Sequence, residues 1–193
     1  MDCKVIKKLY FIILFFYSIP LYAIEFQGKF LQGHYIIGIT DPSANIIIDK
    51  KEVKVSKEGY FVFGLDRDRK FDVTITQTLN GEKKIFTKKV LKRKYKIQRI
   101  DGLPEKKVTP PKEVYERIKR ENKLINDARA IETNLTFFKK KFINPLDKAI
   151  VTGVYGSQRI LNGKPKWPHY GIDFAAKKGT KIKAMLDGTA TMV

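Results

Sequence analysis

The sequence predicts a mainly β protein: a small antiparallel β-sandwich, a helical linker, then the first part of a second antiparallel β domain. Three observations predict it. Between residues 25 and 100, short runs rich in Ile, Val, Phe and Tyr recur about every ten residues, with turn signals between them. A proline-rich break at 101–111 precedes a stretch with helical apolar spacing. From Phe142 onward the texture turns β again, punctuated by glycines. Hydrophobic content of 43% and aromatic content of 12% suit a chain with buried cores and exclude a disordered one.

Residues 1–8 are basic and lead into the apolar run Leu9 to Ile19, then Pro20 and the small residue Ala23. That is the pattern of an export signal, so 1–23 is expected to be removed and the mature chain to begin near Ile24. The run is about half of the roughly 20 residues that span a bilayer, so no stable membrane span is expected after cleavage. An uncleaved anchor is the alternative. The only cysteine, Cys3, leaves with this segment, which excludes a disulfide-stapled domain. The expected location is the periplasm or cell envelope.

The first β domain is expected over 25–100, with strands at Tyr35–Thr40, Asn45–Ile48, Tyr60–Phe63, Phe71–Thr76, Lys84–Val90 and Tyr95–Ile100. Asp41-Pro42, Glu58-Gly59 and Asn80-Gly81 mark turns; Asn-Gly is a hairpin cue, because both turn positions favour positive φ. Strands at this spacing suggest a sandwich of immunoglobulin-like type. His34 is a structural residue on this reading.

The segment 101–144 is the linker and helix. Pro104, Pro110 and Pro111 oppose regular structure, and Pro111 suits the start of a helix over about 112–132. Val114, Ile118, Ile125 and Ala128 fall roughly on one face, expected to pack on a neighbouring domain. A basic amphipathic helix touching a membrane is the alternative.

Chemistry concentrates in Val154–Ala184, within a last domain expected at 145–193. His169 and Asp173 stand four apart with Gly171 between them. Zinc ligands must converge at about 2.0–2.2 Å from the metal, whereas four extended residues span about 13 Å. The backbone must therefore bend, and Gly171 is expected to permit it. Spacing alone does not separate a metal pair from a turn whose His and Asp make hydrogen bonds.

The wider run does. Pro168-His169-Tyr170-Gly171-Ile172-Asp173-Phe174-Ala175-Ala176, then Gly179-Thr180 and Ala184, closely resembles the lysostaphin/LytM-type zinc metallopeptidases of peptidoglycan (peptidase family M twenty-three). Gly156–Gly163 is similar to the lead-in of Gram-negative members, and Asp187-Gly188-Thr189 to the opening of their next strand. The resemblance covers about residues 145–193 and implies a peptidoglycan endopeptidase that cleaves peptide cross-links with zinc (Zn2+) as cofactor. It assigns His169 and Asp173 as metal ligands. The third ligand and the catalytic histidines of that family lie in a later H-x-H motif and a further histidine. Here the only histidines are His34 and His169, so the resemblance implies an incomplete catalytic domain whose catalytic residues fall beyond Val193, inactive alone. Arg159, Tyr155 and Tyr170 are candidate substrate contacts, and Trp167 a candidate groove residue.

The net charge of +19, of which residues 1–23 carry +2, points to polyanionic partners. No nucleic-acid module accompanies it, so peptidoglycan and anionic envelope polymers are the expected partners and nucleic acid is not. Two other functions stay open on the residues: a non-enzymatic wall-binding or amidase-activating relative, and a basic envelope-binding protein in which His169 and Asp173 are structural.

Overall fold

The computed structural model describes residues 23–108 and 111–192. The expected export signal, apart from Ala23, lies outside the described residues. The chain is mainly β, built from several antiparallel sheets and one long helix, as the sequence predicts.

Two sheets face each other in the first part. One has the order β1–β2–β5, formed by β1 (Glu25–Gln27), β2 (Tyr35–Ile39) and β5 (Tyr60–Gly64). The other has the order β4–β3–β6–β7, formed by β3 (Asn45–Ile48), β4 (Lys51–Val53), β6 (Val73–Leu79) and β7 (Glu82–Lys88). All these pairings are antiparallel. The order is that of an immunoglobulin-type sandwich whose fourth strand lies beside the third.

Alternation along the strands builds the core. Ile36, Phe61 and Phe63 from one sheet meet Ile46, Ile48, Val73 and Ile75 from the other. Phe61 lies across Gly38, its register partner; a β-carbon at Gly38 would fall 2.0 Å from the Phe61 ring. Turn chemistry sets the register. Asn80 and Gly81 take φ of 51° and 81°, as a tight hairpin requires. Asp41 accepts hydrogen bonds from the Ser43 backbone N–H and hydroxyl, which hold its carboxyl below the usual range.

β8 (Ile97–Ile100) forms close to where the sequence predicts a strand, but it joins neither sheet of the sandwich. It pairs in parallel with β10 (Gln158–Leu161), which pairs in turn with β11 (Lys164–Pro165). The end of the expected first domain is thus woven into the sheet of the last one. β9 (Ile150–Gly153) and β12 (Asp173–Ala175) make a separate antiparallel pair.

Among the described residues, two α-helices lie between, followed by a 3-10 turn at Phe137–Lys139. α1 (Glu105–Val108) is a single turn inside the expected linker, and its Val108 is buried. α2 (Lys112–Arg129) starts directly after Pro111, which occupies the N-cap in an extended conformation. Its apolar face is not packed as expected. Val114 and Ile118 are exposed, and only Ile125 and Ala128 toward the C-terminal end are half-buried. Ion pairs Arg117–Glu121 and Lys123–Asp127, at i,i+4, line its solvent side. No helix of the described residues is long and apolar enough to cross a membrane.

A candidate metal-binding groove

β9 and β12 carry the candidate site. Asp173 opens β12 directly opposite Gly153 of β9, with a bulge between Asp173 and Phe174. His169 is fixed by its backbone: its N–H donates to Ser157 O (2.8 Å), and its carbonyl accepts from Gly156 N–H (2.7 Å). These two bonds tie the His169 segment to the turn that enters β10.

The result is convergence. His169 Nε2 stands 3.2 Å from Asp173 Oδ2. The nitrogen is nevertheless buried without a hydrogen bond, so the pair has the distance of such a bond but not its alignment. Two ligands of one tetrahedral zinc, each at 2.0–2.2 Å, lie about 3.3–3.5 Å apart. The 3.2 Å between Nε2 and Oδ2 lies close to that span.

Gly153 makes the space. A β-carbon there would fall 2.4 Å from Asp173 Oδ2 and 3.2 Å from His169 Nε2, inside the cradle itself. Gly171, expected to make the bend, does not take a positive φ, and a β-carbon on it would meet His169 only at an ordinary 3.7 Å. The bend comes from the turn and the bulge, and the glycine the site requires is on the partner strand. Among the described residues no third His, Cys, Asp or Glu joins the pair.

The pair sits at the side of a groove of about 670 Å³. Lys96, just before β8, and Gln98, Arg159 and Leu161 of the β8–β10 sheet line it together with Val151 to Val154, and Trp167 and Pro168 lie next to His169. Of the expected site residues, His169, Asp173, Arg159 and Trp167 are therefore brought together. Tyr155 and Tyr170 are not. Their rings pack edge-on at 6.2 Å and line a different depression with Asp66, Arg67 and Asp68 of the sandwich.

Arg67, which the sequence does not single out, joins the two halves. Its side chain is only 7% exposed, and its Nε–H donates to Gly156 O at 2.8 Å. It grips both carboxylate oxygens of Asp68 and lies 4.4 Å over the Tyr95 ring. Gly156 has φ of 84°, and a β-carbon on it would strike that ring at 2.1 Å. Burial pushes the Tyr95 and Tyr155 hydroxyls up at this seam. The peptide that holds His169 is thus itself held by the sandwich.

No protein-family model matches this chain, and no match was found among curated proteins.

Proposed function

We propose that this chain contributes the first two metal ligands and part of the substrate groove of an exported zinc endopeptidase that cuts peptide cross-links of the cell wall. The observation that carries the reading is the approach of His169 Nε2 to Asp173 Oδ2 over the space kept open by Gly153. The lysostaphin-type run around the pair supports the substrate class, and the signal-like residues 1–23 support export to the envelope.

A zinc held here would supply a Lewis acid for the scissile carbonyl and a water of lowered pKa. The chain's own residues hold and orient. His169 is set by its two backbone bonds, Asp173 by the ladder to Gly153, and the groove leads past both. A catalytic zinc takes three protein ligands and a water. The lysostaphin-type third ligand belongs to an H-x-H motif, which these 193 residues do not contain. Cleavage is therefore attributed to a form that also carries that motif, and metal capture by a two-ligand site to the chain itself.

Titration of the 193-residue chain with cobalt(II), read by its d–d absorption, tests the site. Weak binding that His169→Ala and Asp173→Ala abolish is expected. Binding that survives either change, or no binding by the parent chain, would overturn the metal reading. For activity, peptidoglycan digestion is compared with and without chelator. A form extended through an H-x-H is expected to digest it only with metal. Chelator-sensitive digestion by the 193-residue chain alone would overturn the division of ligands.

A further inference from the structure

The part of the groove lined from the β8–β10 side is cationic, and among the described residues its free cations have no counterion. Arg159 is the register partner of Gln98 in the parallel β8–β10 ladder. Lys96, which precedes β8, lines the same groove as Gln98 and Arg159. Neither Lys96 nor Arg159 has an acidic partner among the described residues. Lys166, also in the groove, is committed to the Val108 carbonyl. The one carboxylate lining the groove is Asp173, already turned toward His169.

A second observation comes from Trp167. It is the only tryptophan of the chain, lines the same groove beside His169, and is 88% exposed. A bare indole beside unpaired cations is the surface of a site that takes a ligand with an apolar stem and a negative group.

We propose that Lys96 and Arg159 form a carboxylate-binding subsite, with Trp167 as its platform, which selects acidic peptides for the groove. The inference rests on the endopeptidase reading only for what would happen at the neighbouring His169–Asp173 pair; the binding itself does not need the metal. Arg159 would take the carboxylate through its guanidinium fork and Lys96 through a point charge. Lys96 precedes β8, in sequence that follows the sandwich, so the segment joining the halves would take part in substrate choice.

The lone Trp167 makes its own fluorescence the readout. The 193-residue chain is titrated, in chelator, with N-acetyl-Ala-Glu-Ala bearing free carboxylates and with the same peptide fully amidated. The acid form is expected to quench Trp167 and to bind at least about ten-fold more tightly than the amide. The double variant Lys96→Gln, Arg159→Gln should lose that preference. The equally charge-depleted Lys177→Gln, Lys178→Gln, away from the groove, should keep it, which separates the subsite from the general field of a +19 chain. Because the titration is run in chelator, the subsite can stand even if the cobalt titration fails. Equal affinity for the two peptides, a preference retained by the double variant, or one lost equally in the Lys177 and Lys178 control would overturn the proposal.

Discussion

The two β regions of this protein are made from similar residues and are held together differently. The sandwich buries ten apolar side chains in one cluster, from Ile36 to Leu79. Beyond residue 100, the buried apolar side chains among the described residues are Val108 and Leu146. Ile150 and Val151 of β9 stand largely in solvent, although they are as β-prone as Ile46 and Ile48 in the sandwich. The difference teaches that strand propensity forms ladders, but a face needs a facing sheet to become a core. The second region instead rests on ladder bonds, on β8 and on the seam around Arg67.

The largest test removes a core residue from the first region and its counterpart from the second. Phe61→Ala should destabilise the sandwich by about 3–5 kcal/mol, the usual cost of emptying a buried phenylalanine site. Val151→Ala, on an exposed face, should cost less than about 0.5 kcal/mol. Urea denaturation followed by far-ultraviolet circular dichroism measures both. Comparable losses would show that the second region has a core of its own and would end the comparison.

A smaller effect is expected at the seam. Arg67→Ala removes a charge-assisted hydrogen bond to Gly156 and the cover of Tyr95, together worth about 1.5–3 kcal/mol of docking. Hydrogen exchange should then quicken at the Gly156 and His169 amides, which close the turn against each other, while the Ile46 and Ile75 amides keep their protection. Slowed or unchanged exchange at Gly156 would mean that the second region holds the turn without help.

The same contrast explains what could be read from the sequence. β3 was legible to the residue, because Asn45–Ile48 is an apolar run closed on both sides by turns. The β6–β7 hairpin was legible through Asn80-Gly81. β1 and β4 were not, since three-residue edge strands carrying Glu25, Lys51 and Glu52 show no period to read. Ile97–Ile100 reads as a strand, but nothing in four residues says that its partner lies some 60 positions downstream rather than next door. In the candidate site, His169 and Asp173 were singled out by the resemblance of the run around them, their spacing alone leaving a turn pair open. Gly153 was not, because its role exists only through the register that sets it opposite Asp173. Arg67 was hidden among 39 basic residues, and only burial distinguishes it.

Gly153→Ala sharpens the comparison at the site itself. The new methyl would fall 2.4 Å from Asp173 Oδ2, so the carboxylate must turn away from His169. Cobalt affinity should drop about ten-fold, equivalent to about 1.4 kcal/mol, with sandwich stability unchanged. Unaltered affinity would mean that the two ligands do not share the space above Gly153.

The smallest expected effect is a pH response seated in the sandwich. His34 lies in the loop before β2, where its carbonyl accepts from Leu65 N–H at 2.8 Å. Burial, then the cations Arg93 and Lys29, hold its imidazole below the ordinary 6.5. The folded chain therefore binds fewer protons at His34 than the unfolded chain does, between that depressed value and 6.5. Stability contributed by the neutral ring is present in full above 6.5 and is lost as pH falls through this window. The comparison that isolates it is parent chain against His34→Asn, melted in chelator at about pH 7.5 and about pH 5.5, values on either side of the usual imidazole titration. Acidification should lower the melting temperature of the parent more than that of the variant, because every other titrating group is common to both. The basic setting of this loop makes the sign firm: protonation adds a positive charge beside Arg93 and Lys29, which the folded state must bear and the unfolded state can relax. A parent chain that gains stability relative to His34→Asn on acidification would show that His34 finds an acceptor when charged.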